Sequence, residues 1–132
     1  EKMTFRNSEK NKMIKVFNDV NGIKVSKLIS KVHCTIVPSI WKEVGPRVII
    51  ESFSQGIPVI TTDYVGENNI VINNFNGALF DSRKPENLKR IMENIVNNPI
   101  ILDNWSKNIT RQISKEDWYK KLNEMDMMGY SI

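Results

Sequence analysis

A chain of 132 residues that is 40% hydrophobic, 26% charged and 8% aromatic has the make-up of a single globular domain, 1–132, able to bury roughly two thirds of its unfolded surface without staples. One cysteine, Cys34, and one histidine, His33, exclude a disulfide framework and a zinc finger; no apolar run nears the roughly 18–20 residues of a membrane span, and the opening residues lack a signal peptide's apolar core, so a cytoplasmic chain is expected, at most resting on a membrane surface. The formal net charge of +4 comes from lysines spread along the whole chain with no helix-turn-helix, RNA-binding signature or aromatic stacking platform, so they read as solvated surface and nucleic acid is not an expected partner.

The first dozen residues are polar and carry little pattern. MIKVF (13–17) is an apolar, β-branched run followed by the turn chemistry of NDVNG (18–22), which predicts a strand and then a turn. From Ile23 to Val32 the residues Val25, Leu28, Ile29 and Val32 recur at helical spacing, opposite Lys24, Lys27 and Lys31. CTIVPS (34–39) reads as a strand buried on both faces. A loop through Ile40, Trp41, Lys42, Glu43, Val44 and Gly45 leads to Pro46, suited to a helix start, and Gly56 is suited to end that helix in a left-handed conformation. IPVITT (57–62) and GALF (77–80) are the next strands, the second entered through the turn NNFNG. Strand alternating with helix predicts right-handed βαβ units: a three-layer α/β/α, Rossmann-like domain on a short parallel sheet of about four strands. Beyond Pro85 the pattern is helical. Leu88, Ile91, Met92, Ile95 and Val96 form one stripe ended by Asn97-Asn98-Pro99; a second helix follows over Ile100–Ile113; a third starts at Ser114, where Asp117 forms a capping-box-like pair, and carries Trp118 and Leu122.

In such a sheet, ligands bind at the carboxyl ends of the strands, where loops enter helix N-termini. The loop after CTIVPS holds Glu43 and Gly45 before a helix whose first backbone amides make an anion receptor. Glu51 stands eight residues after Glu43, which would separate the two carboxylates by roughly 10 Å if both were helical. That distance suits gripping separate hydroxyl groups better than sharing one proton transfer.

The stretch PSIWKEVGPRVIIESFSQGIPVITTDYVGENNIV (38–71), with NNFNGALFD (73–81), resembles the donor-binding half of the retaining group 1 (family 4) glycosyltransferases of the GT-B fold. The matching features are Pro38-Ser39 at a strand end, the pair Glu43 and Glu51, Gly56-Ile57-Pro58-Val59-Ile60, and Asn76-Gly77-Ala78-Leu79-Phe80; the closing ISKEDWYKKLNEM is similar to that family's C-terminal helix. The resemblance implies transfer of a sugar from a UDP-, GDP- or ADP-sugar with retention at the anomeric carbon, with no cofactor and no obligatory metal. By it, Glu43 would be the catalytic residue on the donor sugar; Gly45, Pro46, Arg47 and Val48 would approach the sugar or diphosphate, with Ser39 and Gly66 beside them; Glu51 would accept hydrogen bonds from the ribose.

The sequence also departs from the family pattern. The loop Val65-Gly66-Glu67-Asn68-Asn69 has one glycine where the family has two and Asn69 where it has an acid, and Ser52 replaces a common alanine; both changes are expected to blur sugar specificity. His33 and Cys34 precede the site strand and read as structural. The family's acceptor-binding domain, and its glycine loop with a Lys and Arg pair, are not among these residues, and the chain opens on Glu1 rather than Met. The expectation is a piece of a longer transferase, without significant turnover alone, whose parent holds a glycan, lipid or protein acceptor on the other domain. A sheet lacking its first strands should pair 13–17 directly with 34–39, or pair an edge with another copy of the chain. The alternative is a non-catalytic GT-B-like or flavodoxin-like scaffold or interaction module; an intact Glu43 and Glu51 favour the enzyme.

Overall fold

The computed structural model describes residues 13–40, 47–63, 70–112 and 114–127. Among them are five helices, α1 (Gly22–Ile29), α2 (Arg47–Ser54), α3 (Pro85–Asn97), α4 (Ile100–Gln112) and α5 (Lys115–Met127), and three strands, β1 (Thr35–Val37), β2 (Val59–Thr62) and β3 (Gly77–Phe80). The strands form one parallel sheet in the order β1-β2-β3, with Ile36 opposite Ile60 and Ile60 opposite Ala78. The architecture is the expected mixed α/β one, with a three-strand sheet in place of about four.

Side-chain alternation along the strands sorts the core onto two faces. Val59, with Val37 and Leu79, packs on one side against Ile49, Ile50 and Phe53 of α2, Ile109 of α4, and Trp118 and Leu122 of α5. Ile60, Ala78 and Phe80 pack on the other side against Trp105 of α4, with Leu88, Ile91 and Ile95 of α3 around them. Helices thus cover both faces, and the sheet is the middle of three layers.

Local signals explain most boundaries. Asn21 caps α1 by accepting the Lys24 amide at 3.0 Å. The helix predicted to reach Val32 stops at Ile29 because its end tightens into three-residue bonds, Lys31 N–H to the Leu28 carbonyl and Val32 N–H to the Ile29 carbonyl. Gly56, at φ 72°, closes α2 as foreseen: its amide bonds the Phe53 carbonyl and the Ile57 amide bonds the Ser52 carbonyl. Ser114 caps α5, accepting the Asp117 amide at 3.1 Å while its hydroxyl lies 2.8 Å from the Asp117 carboxylate.

Three expectations fail. Residues 13–17 form no strand, and Met13, Ile14, Val16 and Phe17 are all exposed. A β-prone run becomes a strand only where a neighbouring ladder accepts it, and here none pairs with it, so the direct pairing of 13–17 with 34–39 does not form. β1 is consequently an edge strand among the described residues: Ile36 is 38% exposed rather than buried on both faces. In α3, Leu88, Ile91 and Ile95 face the core, but Met92 and Val96 of the same stripe are exposed.

Candidate functional site

The carboxyl ends of the strands point to one rim of the sheet, and two threonines fix the first exit from it. Thr61 and Thr62 of β2 are fully buried; the Thr61 hydroxyl donates to the Val37 carbonyl at 2.9 Å and the Thr62 hydroxyl donates to the Ser39 carbonyl. A buried hydroxyl needs an acceptor, and these two find theirs on the chain leaving β1, extending the β1–β2 contact beyond the ladder. Ser39, half-buried, is held there as the first residue of the candidate donor loop. Glu43, Gly45 and Pro46 lie outside the described residues, as does Gly66 in the loop after β2. The chain re-entering after that loop is fixed by Asn76, fully buried, whose amide donates to the Ile70 carbonyl at 3.0 Å and accepts the Ile72 amide at 2.8 Å. Gly77 then lets β3 close on β2: a Cβ there would sit 1.9 Å from the Val59 carbonyl oxygen.

Arg47 and Val48, both half-buried, begin α2, and Glu51 follows one turn after Arg47. Glu51 is 4% exposed, an unusual setting for a carboxylate on a helix. Burial pushes its pKa above the usual carboxylate range, while the positive charge of Arg47 and the polar Ser26 side chain on α1 oppose that rise. Gln55 completes the group, its side-chain amide donating to the Ser26 carbonyl at 3.1 Å and to the Ser26 hydroxyl at 3.2 Å. Ser52 faces elsewhere. It is fully buried against the sheet, donating to the Val48 carbonyl at 2.8 Å and lying 3.0 Å from the Thr35 hydroxyl. It ties α2 to β1. At the third exit, after β3, Arg83 grips Asp81 with two nitrogens at 2.9 Å and holds its carboxyl down at about 2.

The family model described as glycosyl transferases group 1 matches residues 2–112. The chain belongs to this family. The match spans all three strands and α1 to α4 of the glycosyltransferase domain, and ends before α5. No curated protein matches the chain. Membership assigns glycosyl transfer in general, with a sugar donor and an acceptor as the partners that reaction requires.

Within this glycosyltransferase domain, Cys34 and His33 stand at the amino end of β1, away from the rim of loops. The Cys34 thiol is half-buried beside the Trp105 cluster, and burial pushes it up to about 11, so it behaves as a small core side chain; His33 is exposed. Among the described residues no three His, Cys, Asp or Glu side chains come together as a metal site would require, and no helix is long and apolar enough to cross a membrane. Of the sequence-derived site residues, the described ones are Ser39, Arg47, Val48 and Glu51, and α2 brings the last three together. Ser26, Gln55, Thr61 and Thr62 went unremarked in the sequence. Only the Thr-Thr pair closing β2 offers a local signal, since the partners of Ser26 and Gln55 lie 29 residues apart.

Proposed function

We propose that this domain binds the nucleotide-sugar donor of a glycosyltransferase that retains the anomeric configuration and has no obligatory metal. Glu51 accepts hydrogen bonds from the ribose hydroxyls; Glu43 holds the donor sugar and is the catalytic residue. The backbone from Gly45 through Val48 approaches the sugar and diphosphate, Arg47 adds positive charge near them, and Ser39 and Gly66 flank the donor. The donor is a UDP-, GDP- or ADP-sugar, and the acceptor, a glycan, lipid or protein, is held by a further domain. The 132-residue chain alone turns over little, because the acceptor-binding domain and the basic loop that would stabilise the leaving diphosphate are not among its residues.

The observation that carries this reading is the buried carboxylate of Glu51. An ionised carboxylate offers about four acceptor positions, and a buried one is costly unless they are filled. A vicinal diol, the ribose 2′- and 3′-hydroxyls, is the ligand chemistry that would fill two of them, each charge-assisted bond contributing about 1.5–3 kcal/mol. Calorimetric titration of the chain with UDP, GDP and ADP tests it. At least one should bind, and Glu51→Gln should weaken that binding about tenfold or more. Equal binding to both proteins would refute the assignment.

A further inference from the structure

We infer that the cleft at the amino end of β3, between the turn that precedes this strand and the helices α3 and α4, binds a neutral saccharide, one unit of a glycan chain. It lies at the end of the sheet away from the rim of loops, so it is a second site that stands independently of the donor-site reading.

The cleft has a volume of about 430 Å³, within the range of roughly 300–1,000 Å³ usual for small-molecule sites. Its floor is apolar: Ala78 of β3 and Trp105 of α4 are 2% and 6% exposed, with Ile91 and Ile95 of α3 beside them. Five asparagines stand around that floor, Asn73 and Asn74 on the turn, Asn94 on α3, and Asn104 and Asn108 on α4. No charged side chain among the described residues lines it, although 26% of the chain is charged. A phosphate, carboxylate or ammonium group entering here would give up water and gain no counter-ion. The chemistry that fits is an uncharged ring with an apolar face for the floor and hydroxyls around its edge for the amides, which describes a pyranose.

The amides have hydrogen-bonding capacity left for such a ligand. Asn73 Oδ1 accepts the Leu79 amide at 3.0 Å and Asn94 Oδ1 accepts from Asn98 at 3.1 Å, which leaves the nitrogen of each to donate. Asn108 donates to the Phe75 carbonyl at 2.7 Å and keeps its oxygen to accept. The side-chain amides of Asn74 and Asn104 have no partner among the described residues, so each offers both a donor and an acceptor. A sugar hydroxyl is likewise donor and acceptor at once, and amides spread over three segments can meet hydroxyls on several sides of a ring. The frame is built before a ligand arrives. The Asn108 bond ties α4 to the turn, and Asn74, at φ 60°, is held by its own N–H on the Gly77 carbonyl at 2.9 Å.

The test is amide-shift mapping of the isotope-labelled chain titrated with maltotriose, cellotriose and tri-N-acetylchitotriose, with glycerol at equal hydroxyl concentration as the control. At least one trisaccharide should give saturable shifts at Asn73, Asn74, Leu79, Asn104 and Trp105, and glycerol should not. Asn104→Ala and Asn74→Gly should each weaken that binding about threefold to tenfold. Both side chains are exposed, and glycine keeps the left-handed backbone at 74, so the fold survives either change. Asn123→Ala, at an exposed position on α5, should bind as the unaltered chain does. The inference is overturned if no trisaccharide gives a saturable shift, if the shifts gather at the rim around Ser39 and Arg47, if glycerol reproduces them, or if neither Asn104→Ala nor Asn74→Gly weakens binding. None of these results bears on the donor site, which the nucleotide titration tests by itself.

Discussion

Glu51 sits in surroundings that favour its neutral form, and this makes the site's cost measurable. Its folded pKa is raised above the ordinary 4.5, so the folded protein binds this proton more tightly than the unfolded chain does. Through this group, stability therefore rises as pH falls through the raised value toward 4.5, and the penalty is present above the raised value. Glu51→Gln should raise the thermal midpoint at pH 7 and flatten its pH dependence in that window, while weakening nucleotide binding. A lowered midpoint would show that Arg47 and Ser26 more than repay the burial. Gly77 makes the opposite case, a residue whose side chain must be absent. A Cβ placed 1.9 Å from the Val59 carbonyl and 3.1 Å from Val71 forces the β2–β3 ladder apart, so Gly77→Ala should cost stability at or beyond the upper end of the usual 1–3 kcal/mol for overpacking, read from urea unfolding. Glu51 and Gly77 were both visible in the sequence, each inside a motif with fixed spacing. Ser26 and Gln55 were not, because their meaning depends on two helices being packed together, which no local pattern encodes.

At the scale of elements, start and stop chemistry was legible and tertiary demand was not. Gly56, Pro85, Asn97-Asn98-Pro99 and the Ser114 cap each delimit a helix near where the residues alone place it. The run 13–17 has strand composition but no strand partner, and Met92 and Val96 have helical spacing but no face to cover; both failures come from neighbours the sequence does not specify. The helix α5 lies beyond the family match yet completes the core over α2. Its Trp118 is 2% exposed, meets Phe53 edge to face with ring centroids 5.2 Å apart, and leaves its indole nitrogen buried with no acceptor among the described residues. Trp118→Ala should therefore cost about 3–5 kcal/mol. Trp118→Phe keeps a ring against Phe53 and removes the unpaired donor, so its cost should be far smaller, within about 1.5 kcal/mol. Denaturant midpoints of the two variants separate packing from polarity; equal losses would mean that the indole nitrogen is satisfied after all.

At the scale of the molecule, the parallel sheet sends every described loop that follows a strand to one rim, and Glu51 stands on the helix entered from the first of them. The same sheet leaves β1 without an outer neighbour among the described residues, with Ile36 half-exposed on it. An open edge of this kind recruits a strand, so sedimentation at rising concentration should show self-association, weakened by Ile36→Lys; a concentration-independent monomer would contradict it. The most direct test of the donor site is the map of amide shifts when UDP, GDP or ADP is titrated into the isotope-labelled chain. Saturable shifts gathered at the rim, at Ser39, at Arg47 through Glu51, at Ile70 and at Asp81, and diminished in Glu51→Gln, are the expected result. Shifts gathered instead at the amino ends of the strands, around His33, Cys34, Asn73 and Asn74, or no saturable shift with any of the three nucleotides, would contradict it.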